Sequence, residues 1–155
     1  MAILIPFIMA AGLSGKEKPA ESTNDQSQSA KIDKQETAAP EKTQIIAYYF
    51  HGDQRCATCI KLESYSREAL EDGFEEKMGD STIVFTMVNY DQKENKHYID
   101  DYKLYTKALI LSKVSGGKEI EWVNLDKIWQ LVRDKDKYLE YVRTETENFM
   151  NKTSK

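Results

Sequence analysis

The chain has two cysteines in 155 residues, Cys56 and Cys59, and they stand three positions apart in Cys56-Ala57-Thr58-Cys59. If Cys56 lies at the start of a helix, unpaired backbone N–H groups and the helix dipole favour its thiolate, the species that attacks disulfides. Arg55, one residue earlier, adds a positive charge where its side chain turns that way. Cys59, one helical turn on, is placed to resolve a mixed disulfide formed on Cys56. Three readings of the pair stand side by side: a redox-active dithiol, two thiolates that hold a soft metal or metalloid ion, and an ordinary structural disulfide or inert buried pair. A structural zinc centre wants four ligands, and with two cysteines and two histidines His97 would have to fold back to complete one. His51, five residues before Cys56, suits a proton shuttle or a third soft-metal ligand, and equally a polar turn. His97 belongs to a solvated helix. Glu63, Glu68, Glu71, Asp72, Glu75 and Glu76 recur at helical spacing as a solvent face rather than an acid–base pair. Trp122 and Trp129 are packing residues of a core or groove.

The elements that must position the pair are legible on either side of it. Residues 44–50, Gln-Ile-Ile-Ala-Tyr-Tyr-Phe, are a continuous run of β-formers, as expected of a strand covered on both faces. His51-Gly52-Asp53-Gln54-Arg55 is a polar turn. From Thr58 to Met78 the apolar positions Ile60, Leu62, Tyr65, Ala69, Leu70, Phe74 and Met78 mark a helix face, with Gly73 expected to bend or split it. A second strand is expected over 82–90 and a short helix around 96–102. Two further strands, 108–114 and 118–123, flank Ser115-Gly116-Gly117, a hairpin whose glycines supply positive φ. Leu125 onward is helical, with a break near Asp134.

The order β-α-β-α-β-β-α, read as two β-α-β crossovers followed by a hairpin and a closing helix, predicts an α/β fold with a mixed four-stranded sheet flanked by helices. This is the order of a thioredoxin-like core, and Cys-X-X-Cys falls where that core puts it. More narrowly, His51-Gly-Asp-Gln-Arg-Cys-Ala-Thr-Cys-Ile60, preceded by Tyr48-Tyr49-Phe50, resembles the thioredoxin-like small proteins of bacterial arsenic-resistance operons, described as subunits of a nitrophenyl-arsenical nitroreductase. Lys118-Glu-Ile-Glu-Trp-Val-Asn-Leu-Asp-Lys-Ile-Trp129 fits the same family, and the resemblance covers about residues 45–150. It implies a redox role toward organoarsenical or nitroaromatic compounds, with a redox partner protein and a membrane permease as associates.

Three departures from ordinary thioredoxins bear on specificity. Ala57-Thr58 stands between the cysteines in place of Gly-Pro. The first strand carries no carboxylate, so the proton of the second thiol falls to His51, Asp53, Glu63 or water. The proline that normally precedes the third strand and faces the dithiol is absent; its place falls near Lys107, and no proline follows Pro40. A cis bond at a non-proline residue costs about 2.5–4 kcal/mol, so a trans peptide is expected there. Lys107 is then available to stabilise thiolate charge, and the site reads as a specialised dithiol rather than a general reductase.

Composition bounds the remainder. Net charge is −4 with no basic cluster, which argues against nucleic acid as a partner. No Gly-rich phosphate loop appears, so no bound organic cofactor is expected beyond the Cys56–Cys59 redox pair, and any flavin or nicotinamide would belong to a partner. Residues 1–15 open with thirteen apolar or small residues, short for a membrane span and suited to a signal-peptide core or a retained anchor. No Lys or Arg precedes that run, and Lys16 stands where a lipoprotein would need cysteine. Residues 16–43 carry Ile32 as their one large aliphatic side chain and read as a disordered polar linker. The domain is then 44–152, exported to the periplasm or held facing it; it holds both Trp, all nine Tyr and four of the five Phe.

Overall fold

Gln44–His51 forms β1, and its side chains alternate between two apolar layers. Ile45, Ala47 and Tyr49 enter one cluster, while Phe50 enters a second with Tyr48 packed against it. That double burial explains the uninterrupted apolar run. The computed structural model describes residues 42–152, so the leader expected over 1–15 and all but the last two positions of the linker expected over 16–43 lie outside it.

After β1 come helix α1 (Ala57–Gly73) and a short helix α2 (Glu75–Gly79). Phe74 separates them at φ −141° and ψ 38°, so the helix expected over 58–78 is split where Gly73 predicts. A Cβ on Gly73 would stand 2.9 Å from Cγ of Arg143, whose side chain crosses the helix end. Strand β2 (Ile83–Asn89) follows, then a 3-10 turn over Lys93–Asn95 and helix α3 (His97–Asp101). Strands β3 (Ala108–Ser115) and β4 (Lys118–Asn124) form the hairpin, with Gly116 at φ 57° and Gly117 at φ 75°. Positive φ at both central residues is what the tightest hairpin turn requires. Helix α4 (Ile128–Leu131) and helix α5 (Lys135–Asn151) close the chain, divided at Asp134, whose carboxylate caps α5 by accepting from the Lys137 N–H at 3.2 Å.

The sheet order is β2-β1-β3-β4. Strands β1 and β2 are parallel, as a strand–helix–strand crossover requires, but β3 runs antiparallel to β1. The second connection is therefore not a parallel crossover: after β2 the chain crosses the opposite face and returns on the far side of β1. Helices α1 and α5 cover one face through Leu62, Leu70, Tyr138, Val142 and Phe149. Tyr98 and Tyr102, from α3 and its end, cover part of the other over Phe50, Val88 and Ile110. This is a mixed four-stranded sheet flanked by helices, with the inner strand β1 delivering the chain to Cys56.

Candidate active site

The loop between β1 and α1 is tied to the end of the neighbouring strand. The Asp53 N–H donates to Oδ2 of Asp91 at 2.7 Å, Asn89 Nδ2 donates to Oδ1 of Asp53 at 2.7 Å, and the Tyr90 N–H donates to the His51 carbonyl at 2.9 Å. Gly52 makes that approach feasible, because a Cβ there would lie 2.5 Å from the same Asp91 oxygen.

Cys56 is the N-cap of α1, in extended conformation at φ −94° and ψ 162°. Its sulfur accepts the Cys59 N–H at 3.1 Å, the position that a Ser or Asp oxygen fills in ordinary caps. A thiolate at that atom would face an oriented N–H and the positive end of a helix of 17 residues. Cys56 and Cys59 are joined as a disulfide with Cα atoms 5.0 Å apart. Cys56 is exposed, whereas Cys59 is only 2% exposed. The two sulfurs thus differ in access although they are one turn apart.

Beneath the pair lies a residue that sequence reasoning missed. Tyr49 is fully buried, and its hydroxyl donates to the Cys59 carbonyl at 2.7 Å. Burial holds its pKa well above the usual 10.0, partly offset by the Arg55 charge, so it remains a protonated donor and not a base. One turn along α1, the Leu62 carbonyl accepts from Ser66 Oγ at 2.7 Å and from the Tyr138 hydroxyl at 2.9 Å. The available signal was the alternation of β1: it sends Tyr49 toward the helices, where a buried phenol must find an acceptor.

The remaining candidates are placed as follows. Arg55 donates to Glu63, which also lies 4.0 Å from Arg67, so its charge is shared with a helix carboxylate. His51 ends β1 with Nδ1 3.0 Å from the Gly52 carbonyl and its ring stacked near Tyr49, centroids 6.4 Å apart. Lys107 directly precedes β3, one step past the Phe50–Ala108 pair, at the end of the sheet where β1 delivers the chain to the dithiol loop. Its carbonyl accepts from Trp129 Nε1 at 2.9 Å. His97 is not part of this constellation: it is exposed on α3 and bonded to Asp101 at 2.8 Å. Among the described residues no group of three or more His, Cys, Asp or Glu side chains is arranged to hold a metal ion. Beside the motif, a groove of about 420 Å³ is lined by Thr58, Lys61, Tyr65, Trp129, Val132 and Arg133.

No family model matches the chain, and no curated protein matches its sequence. Among solved structures, the chain is similar to Fasciola hepatica thioredoxin at 19% identity, covering 61% of this chain and 81% of that chain with a TM-score of 0.35.

Proposed function

We propose that the protein is a thiol–disulfide redox protein in which Cys56 is the nucleophile and Cys59 the resolving thiol. The observation that carries this is the asymmetry of the pair: an exposed residue whose sulfur caps α1 and a buried partner one turn on. In the reduced protein, the Cys56 thiolate attacks one sulfur of a substrate disulfide and expels the other as a thiolate, which takes a proton from solvent. Cys59 then loses its proton and attacks Sγ of Cys56. The mixed disulfide breaks, the Cys56–Cys59 bond forms, and two electrons have passed to the substrate. A dithiol partner returns the protein to the reduced form by the reverse sequence. Lys107, and Arg55 to the extent that Glu63 leaves its charge unshared, favour negative charge at this end of the sheet, and His51, the last residue of β1 before the dithiol loop, would relay the proton.

The motif resemblance supports a more specialised assignment: an electron-transferring subunit acting on organoarsenical or nitroaromatic acceptors, with a partner protein as the electron source and a membrane permease as associate. The apolar opening of the sequence supports an exported or membrane-anchored location. Cysteine variants test the core of the reading. With a small disulfide substrate, Cys56→Ser should abolish turnover, and Cys59→Ser should stop after one addition, trapping substrate on Cys56 as seen by intact mass. Full turnover by Cys59→Ser would overturn the assignment. Stoichiometric binding of a trivalent arsenical without turnover on any disulfide would instead favour a carrier that holds the metalloid between Cys56 and Cys59.

A further inference from the structure

The groove that begins at Thr58 is built and charged in a way the exchange chemistry does not require. Thr58 lies between the two cysteines in the chain, so the groove starts at the Cys-X-X-Cys segment. Its aromatic walls are fixed. Tyr65 stands edge-on to the buried Tyr138 at 5.5 Å between centroids, and Trp129 is held by its bond to the Lys107 carbonyl. The charges on the same walls are Lys61, at the start of the second turn of α1, and Arg133, from the turn between α4 and α5.

These two cations contrast with their neighbours. Arg55 and Arg67 meet Glu63, Lys135 meets Glu68 at 2.6 Å, and Arg143 meets Asp72 at 3.4 Å. Among the described residues neither Lys61 nor Arg133 meets a carboxylate. In a chain of net charge −4, these are two cations on one groove that no carboxylate of the described residues pairs with. A site of this kind raises the encounter rate of an oppositely charged partner and rejects a like-charged one. The volume suits a few side chains of an extended segment, and ring faces offer it apolar contact at low entropic cost.

We infer that this groove selects polypeptide substrates whose reactive cysteine is flanked by acidic residues, the carboxylates meeting Lys61 and Arg133 while the neighbouring sulfur meets Cys56. The inference rests on the redox reading above and names the substrate class of that same site. It is tested with three disulfide-linked peptides of one length, flanked by Glu, by Gln or by Lys, and with the second-order rate of each. The native protein should prefer the Glu peptide over the Lys peptide by about tenfold at low salt, two exposed pairs each contributing a few-fold, and the preference should shrink in 0.5 M salt. The double variant Lys61→Gln/Arg133→Gln should bring the Glu-to-Lys ratio close to one, while Lys61→Arg should retain it. Both positions are on the groove surface, and a far-ultraviolet dichroism spectrum checks that the variants fold. Equal native rates on the Glu and Lys peptides, or a ratio that survives in the double variant, would overturn the assignment. Competition by benzoate without any effect of peptide charge would overturn it in favour of a small aromatic anion. Failure of the Gln peptide to react with the native protein would count against the redox reading itself, so the two failures are distinguishable.

Discussion

On the face of the sheet covered by α1 and α5, the phenols of Tyr49 and Tyr138 end on backbone carbonyls of one helix, those of Cys59 and Leu62. On the opposite face Tyr102 ends on a carboxylate, donating to Glu119 at 2.5 Å, and the buried Ser112 hydroxyl donates to the same oxygen. The first pattern binds successive turns of α1 to the strand beneath and to the last helix, so the dithiol is fixed through the main chain. The second gathers two hydroxyls on a flexible side chain of an exposed edge strand. A helix that must present one sulfur and hide another needs the first kind of attachment, whereas the far face needs only to be covered.

Truncation is the largest lever on this contrast. Tyr138 is fully buried, packs edge-on with Tyr65 and bonds to both Ser66 and Leu62. Tyr138→Ala should cost about 3–5 kcal/mol by urea unfolding, the range for an aromatic side chain lost from a closed core. Tyr102→Ala should cost less, because Tyr102 lines a groove open to water that can fill the space left. Equal losses would remove the distinction between a sealed face and a covered one.

Alkaline pH acts on both faces at once. Burial raises Tyr49 and Tyr138 well above the usual 10.0, and raises Tyr102 with further help from Glu119; Tyr141 is pushed up to about 12. These groups stay neutral in the folded protein at pH values where the unfolded chain ionises. The stability they confer is therefore complete below pH 10 and lost as pH rises through their folded values. For each fully buried phenol the loss is about 1.4 kcal/mol per pH unit once the unfolded chain has ionised. Urea midpoints at pH 8, 10 and 11 should be flat and then fall steeply, and Tyr49→Phe should lessen the fall. A midpoint unchanged up to pH 11 would contradict the burial of these hydroxyls.

Much of this architecture was legible because the signals are local. The β1 run, the Gly116–Gly117 turn, the splits at Gly73 and Asp134 and the helix starting at the dithiol are each written in a few consecutive residues. The direction of β3 was not, since the polar connection of residues 91–107 suits a return in either sense. Glu63 read both as part of a solvent face and as one of several candidates to take the second thiol's proton, and its half-buried pairing with Arg55 was in neither reading. An i,i+8 pairing across a loop and a helix depends on where the loop turns, which single-residue periodicity does not encode. The same holds for Trp129, whose partner is a carbonyl 22 positions away. Tyr49 could have been found: a phenol facing the helices from a strand buried on both sides must end on something.

The smallest and most specific change is the loss of one oxygen, Tyr49→Phe. The Cys59 carbonyl lies in the first turn of α1, where the helix itself supplies a donor, so removal of the phenol leaves no unpaired acceptor. The cost should be about 1 kcal/mol, the net value of one hydrogen bond. Tyr102→Phe should cost about half that, because Glu119 keeps Ser112 and gains water. A positioning role predicts more than this stability difference. With Tyr49 unable to hold the turn that carries Cys59, attack of the buried thiol on the mixed disulfide should slow, while the first attack by the exposed Cys56 is little changed. Single-turnover kinetics with a chromogenic disulfide separate the two steps. If Tyr49→Phe slows neither step, its hydroxyl serves the fold alone, and the attachment of α1 through its carbonyls has no part in the timing of the exchange.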